Sequence, residues 1–210
     1  IQTWHWHAFP YFILLGIITG LNSVYLTKTV LFFKKKFASI KTHYNRVIIG
    51  ATIIGISLAF FPQLFGDGYH AIKDNIETSA SVIPTLSIFL TLLGVIILKP
   101  IITSITLASG GDGGVFAPSI FIGAFIGLLT ALLLNKFANA QVIPLNFMVI
   151  GMAAMLSASI SAPFTALFLV CGLVGDYTLF FPILIVCFVS KFTAERFCSY
   201  TVYTYQEKTA

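Results

Sequence analysis

From Phe137 to Gly175 the chain carries no Asp, Glu, Lys or Arg. A water-soluble domain cannot hide so long an uncharged run, because roughly a quarter of its residues are normally charged and coat its surface. Only 9% of the 210 residues are charged and 58% are hydrophobic, and the mean hydropathy is +0.96. The chain therefore reads as an all-α, polytopic membrane protein with lipid as its main solvent. Disordered, collagenous and disulfide-scaffold classes fall away, since apolar content is high while Gly is 16 and Cys only 3. The first residues are Ile-Gln-Thr rather than Met, and the first apolar run is too long and wrongly flanked for a signal peptide. A piece of a longer protein is expected.

Charge is placed unevenly. Half of the basic residues, Lys28, Lys34, Lys35, Lys36, Lys41 and Arg46, fall together around the end of the first apolar run. A net charge of +5 would suggest nucleic acid in a soluble protein. Beside a membrane span it fits a cytoplasmic loop under the positive-inside rule, so no nucleic-acid partner is expected. Asp67, Asp74 and Glu77 then lie outside, and Lys191, Arg196 and Lys208 return the C-terminus to the cytoplasm. Cys171, Cys187 and Cys198 show no pairing or C-x-x-C spacing and read as small packing residues.

Apolar spans are expected over Ala8–Phe33, Val47–Phe61, Ile83–Ala108 and Leu179–Phe197. Trp4, Trp6, Phe9 and Tyr11 form an aromatic belt at the first of them. His5 and His7 alternate with the tryptophans, but with no further ligands nearby they read as interfacial polar tips, and no metal is expected. Gly16 and Gly20 give a G-x-x-x-G pair suited to close helix contact. Phe65–Tyr69 reads as a turn and Tyr69–Thr78 as a short interfacial helix. Lys99-Pro100 is expected to interrupt the third span, and a lysine at that depth, costly unless it faces protein or water, is either a functional residue or a snorkelling or carbonyl-paired one beside the proline. Ser119–Leu134 and Pro144–Ile160 follow, and then Phe164–Leu173, too short to cross alone. Short helices joined at Ser161-Ala-Pro163 would be discontinuous or re-entrant, a backbone tolerated at membrane depth only inside protein or beside a water-filled cavity. Broken, unequal helices of this kind are the pattern of transporters.

The informative junction is Gly110 to Pro118, where four glycines flank Asp112 and lead straight into an apolar helix. The first N–H groups of a helix have no internal partner, and the helix dipole adds positive potential there. Such a start binds an anion without a basic side chain, and glycine lets the backbone approach closely. Val115, Phe116 and Ala117 would aim their amides at an ion within the membrane; a tight turn between helices is the alternative.

Gly114-Val-Phe-Ala-Pro118 resembles the G-x-F-x-P signature of the CLC family of chloride channels and proton-coupled anion antiporters. The longer stretch Ser109–Ala124 is similar to that family as well. Phe65-Gly-Asp-Gly-Tyr69, Gly151–Ala154 with Ala162–Ala166, and Val202–Thr204 resemble further family blocks in the expected order. The resemblance implies an inverted repeat, with residues 1–210 as its second, C-terminal half (helices J to R). It also implies transport of a small inorganic anion, chloride first, without cofactor. Gly114, Val115, Phe116, Ala117 and Pro118 would form the anion site, the amides of Val115 and Phe116 binding the dehydrated ion and Ala117 lying nearer the outer position. Tyr203 would add its hydroxyl, with Tyr200 as the alternative after a small register shift. Partners implied are the lipid bilayer, the missing N-terminal half and a second copy, packed through Phe164–Leu173 and Leu179–Phe197 with Ala166, Gly172 and Gly175 allowing close contact.

Two departures stand out. Asp112 sits where a small neutral residue is usual, and its carboxylate should repel an anion unless protonated, paired or turned to solvent. Cys171-Gly172 replaces an aromatic-glutamate pair before Gly-Asp-Tyr. The family's gating and proton-transfer glutamates and its selectivity serine belong to the first half, so channel and exchanger stay open, as do chloride, nitrate and fluoride. Three rival readings remain: an intramembrane aspartyl protease, a cation- or solute-coupled transporter, and an interaction module. For the protease, Ser109–Asp112 and Asp176-Tyr177 match neither motif, and H-E-x-x-H is missing.

Overall fold

The computed structural model describes residues 1, 3–4, 6–60 and 86–205. Phe65–Tyr69, the helix expected at Tyr69–Thr78, the three acids Asp67, Asp74 and Glu77, His5, Glu207 and Lys208 lie outside them. The described residues form seven α-helices: α1 Phe9–Ala38, α2 His43–Phe60, α3 Leu86–Ala108, α4 Phe116–Phe137, α5 Pro144–Ile160, α6 Pro163–Val174 and α7 Phe180–Phe197. By length and composition the helices covering Trp6–Ala38, His43–Phe60, Ile88–Ala108 and Phe116–Phe137 can cross a membrane, whereas α5 and α6 are shorter apolar helices.

Several boundaries differ from those the hydropathy suggests. Helix α1 continues through Lys34–Lys36 to Ala38, because lysine is a good helix former and hydropathy marks the lipid edge rather than the helix end. Helix α3 is continuous across Lys99-Pro100, which corrects the expected interruption. Proline is tolerated within membrane helices where neighbours take up the freed backbone groups. Lys99 is only 3% exposed, and its Nζ stands 4.8 Å from the ring centroid of Phe121 on α4. Helix α7 is long enough to span, but Lys191, Glu195 and Arg196 occupy its last turns.

The core sits between α4 and α5, where glycine decides the approach. A Cβ built on Gly123 or on Gly151 would meet the other's carbonyl oxygen, and one on Gly127 would meet that of Phe147. Phe121, Phe125, Phe147, Met148 and Met155 fill the space around this contact. On α1, the Gly16/Gly20 pair faces α7: a Cβ on Gly20 would lie 2.6 Å from the Ser190 oxygen. Hydroxyls join the helices in addition, with Thr19 Oγ1 and Ser190 Oγ 3.1 Å apart and Ser23 Oγ and Ser159 Oγ 3.2 Å apart. Cys171 and Cys187 are buried packing residues.

The turns are specified locally. Asn135 Nδ2 donates to the Val142 carbonyl and Asn135 Oδ1 accepts the Val142 N–H, both at 2.8 Å, which closes the α4–α5 connection. Ser161 adopts a left-handed conformation (φ 54°), and Pro163 opens α6, so the chain reverses between two short helices. After α6, left-handed Gly175 leads to Asp176, whose Oδ1 accepts the Thr178 hydroxyl at 2.6 Å and the Thr178 N–H at 2.8 Å. Those bonds hold the Asp176 carboxyl below its ordinary range. Their stabilisation is present at neutral pH and is lost as pH falls through the lowered value.

Candidate functional site

Helix α4 begins without a side-chain cap. Its N-cap is Val115 (φ −89°, ψ −3°), a residue with no oxygen to offer the first N–H groups. Pro118 has no N–H, and the first internal bond runs from the Ser119 N–H to the Val115 carbonyl at 2.9 Å. That carbonyl also accepts the Ser119 hydroxyl at 2.5 Å. The donors at the helix start are therefore the N–H groups of Val115, Phe116 and Ala117. Val115 donates to the Tyr203 hydroxyl oxygen at 3.3 Å. Among the described residues no carbonyl accepts from Phe116 or Ala117.

Of the two amides expected to bind the ion, that of Val115 meets the Tyr203 hydroxyl, and that of Phe116, like that of Ala117, meets no carbonyl among the described residues. The Tyr203 oxygen accepts from Val115 and keeps its own hydrogen to donate. The Tyr203 hydroxyl thus sits at the positive end of a 22-residue helix, against its N-cap amide. The rings of Phe116 and Tyr203 meet edge-on, centroids 6.2 Å apart. A Cβ at Gly114 would stand 3.1 Å from the Tyr203 hydroxyl, so a larger residue there would press on that group. Phe116 and Tyr203 are 39% and 55% exposed, so the flank of the site away from α4 is not covered by the described residues.

Tyr203, not Tyr200, reaches the helix start. Tyr200 instead packs on Tyr205, ring centroids 5.1 Å apart. A reciprocal cap fixes the turn that carries Tyr203. Thr201 Oγ1 accepts the N–H groups of Tyr203 (3.3 Å) and Thr204 (3.2 Å), while Thr204 Oγ1 accepts the Thr201 N–H at 2.8 Å. A Tyr205 N–H bond to the Thr201 carbonyl at 3.0 Å closes the turn. Neither threonine stands out in the sequence by residue type, and T-x-x-T only partly resembles the S/T-x-x-E/Q pattern of a capping box. Behind this turn lies a cavity of about 270 Å³ lined by hydroxyls, among them Ser23, Thr27, Thr201 and Thr204.

The Gly110–Gly114 segment is exposed and carries Asp112 on the surface. Asp112 makes no ion pair among the described residues, where the salt bridge is Lys191 to Glu195 at 3.6 Å. No group of three or more His, Cys, Asp or Glu suited to a metal occurs among them either.

Comparison with known proteins agrees with this architecture. The family described as "Voltage gated chloride channel" matches residues 1–195. The voltage-gated ClC-type chloride channel ClcB of Escherichia coli O17:K52:H18 (strain UMN026 / ExPEC) is 28% identical over 178 residues, covering 84% of this chain and 41% of that protein. ClcB of Escherichia coli strain K12 / DH10B is similar to the same degree. Among solved structures, a slow cyanobacterial Cl⁻/H⁺ antiporter superposes with a TM-score of 0.80 at 25% identity, over 95% of this chain and 46% of that one. A CLC-type fluoride/proton antiporter gives 0.70 at 21% identity, over 97% and 47%. The chain spans less than half the length of these relatives. A family of channels and transporters leaves no role for the aspartyl-protease reading. With nearly its whole length matched and its helices arranged as in half of a CLC protein, the chain belongs to the voltage-gated chloride channel (CLC) family and is a multi-pass membrane protein.

Proposed function

We propose that this chain is the C-terminal half of a membrane domain that carries small inorganic anions across the bilayer, chloride first among them. The route is channel conduction or proton-coupled exchange. One observation carries the reading: the Phe116 and Ala117 N–H groups have no carbonyl partner among the described residues, and the Tyr203 hydroxyl meets the N-cap amide of the same helix start. A helix start carries about half a unit of positive charge, and low dielectric strengthens its attraction for an anion. Neutral donors also let the ion leave again, as conduction demands.

Gly114 and Pro118 shape this start, while Val115 ties it to Tyr203. The exposed flank at Phe116 and Tyr203 suits a missing N-terminal half that supplies the gate. A second copy would pack on α6 and α7, where Phe164 and Phe168 are exposed and a Cβ on Gly172 would meet nothing within 4 Å. Ala166 is buried in the core and drops out of that surface. Lysines at the end of α1 and in α7 put the C-terminus in the cytoplasm.

Reconstitution tests the proposal. Liposomes holding the 210-residue chain with a CLC N-terminal half are expected to release chloride, and liposomes holding the 210 residues alone are not. Release by the isolated chain, or none by the pair in folded form, would overturn it.

A further inference from the structure

At the lysine-bearing end of α1 the fold leaves a cleft of about 610 Å³. Lys28, Leu31, Lys34 and Lys35 line one wall, and Tyr200 and Tyr205 line the other. Lys28, Leu31 and Lys35 recur at intervals of three or four and so share one face of the helix. No Asp or Glu is among the described residues that line the cleft. Lys36 and Lys41 belong to the same basic stretch but lie outside it.

We infer that this cleft binds the phosphate of an anionic phospholipid headgroup. Three lysines and two tyrosines in one lining offer several donors and no competing acid, which suits a multi-oxygen anion. The volume is far larger than a bare ion needs, and Leu31 provides apolar wall beside the charges. The position is where a span meets water, the depth at which lipid phosphates lie and at which clustered lysines recognise them. The site is separate from the start of α4, yet Tyr200 and Tyr205 flank Tyr203 in the same short segment. An occupied cleft therefore braces the turn that presents the Tyr203 hydroxyl.

Native mass spectrometry of the full chain in neutral detergent tests this, titrating phosphatidylglycerol against phosphatidylcholine. The chain is expected to retain one phosphatidylglycerol at concentrations where phosphatidylcholine does not bind. Lys34→Gln/Lys35→Gln should weaken that binding at least about tenfold, while Lys36→Gln/Lys41→Gln, which removes the same charge, should change it less than about twofold. Lys34→Arg/Lys35→Arg should retain it, and unchanged melting of all three variants shows that the fold is intact. Equal losses in both glutamine pairs would reduce the effect to diffuse attraction and overturn the site. Equal binding of phosphatidylcholine, or of inorganic phosphate alone, would overturn the anionic lipid as its ligand.

Discussion

Gly151→Ala is expected to destabilise the fold by about 3 kcal/mol or more. In an isolated helix this change stabilises, since alanine is better than glycine by about 1 kcal/mol. Here the new methyl group points at the Gly123 carbonyl oxygen, with the Gly123 carbonyl carbon at 3.1 Å and Gly127 Cα at 3.3 Å. Those atoms are main chain and have no rotamer to change, so α4 and α5 must move apart. Overpacking a core that can adjust costs about 1–3 kcal/mol, and a backbone-on-backbone clash lies at or beyond the upper end. Gly55→Ala is the contrast, because a Cβ there meets nothing within 4 Å. It should leave the melting temperature unchanged or raise it slightly. Size-exclusion profiles and thermal melts in detergent compare the two, and equal stability would contradict the α4–α5 contact.

Ala117→Pro is expected to weaken anion binding by about 10- to 100-fold while leaving the helix in place. Proline is accommodated in the first turn of a helix, where the lost N–H has no internal acceptor. The substitution thus deletes one of the two amide donors that have no carbonyl partner among the described residues, and a hydrogen bond to a charged group is worth about 1.5–3 kcal/mol. Tyr203→Phe should have a smaller effect despite removing a hydroxyl. Losing the phenol oxygen frees the Val115 N–H, which it now engages at 3.3 Å, and one donor replaces another. Calorimetric titration with chloride reads both variants. A Tyr203→Phe loss larger than that of Ala117→Pro would move the weight of binding from the main chain to the tyrosine.

Much of the fold was legible because lipid imposes simple rules. Apolar runs gave the spans, Pro144 marked a helix start that the structure reproduces, and Pro163, expected as an interruption before Phe164–Leu173, itself opens that helix. What failed did so for identifiable reasons. Hydropathy ends at Phe33 although the helix runs to Ala38, because charged side chains leave lipid without leaving the helix. Pro100 looked like a break, yet the helix continues through it, since its neighbours are other helices rather than water. At the site, the Gly114–Pro118 start of α4 was visible in sequence. The partner of each N–H was not, because Val115 and Tyr203 are 88 residues apart and meet only through packing. For the same reason Gly16 and Gly20 could be paired by spacing within one helix, whereas Gly123 and Gly151 could not be matched across two.

Anomalous diffraction from crystals of the full-length protein grown in bromide addresses the central claim most directly. A bromide peak is expected within hydrogen-bonding reach of the Phe116 and Ala117 nitrogens and the Tyr203 hydroxyl, weakened in Ala117→Pro. Those two nitrogens bonded to carbonyls from elsewhere in the protein, with bromide bound only at a distance from α4, would contradict it.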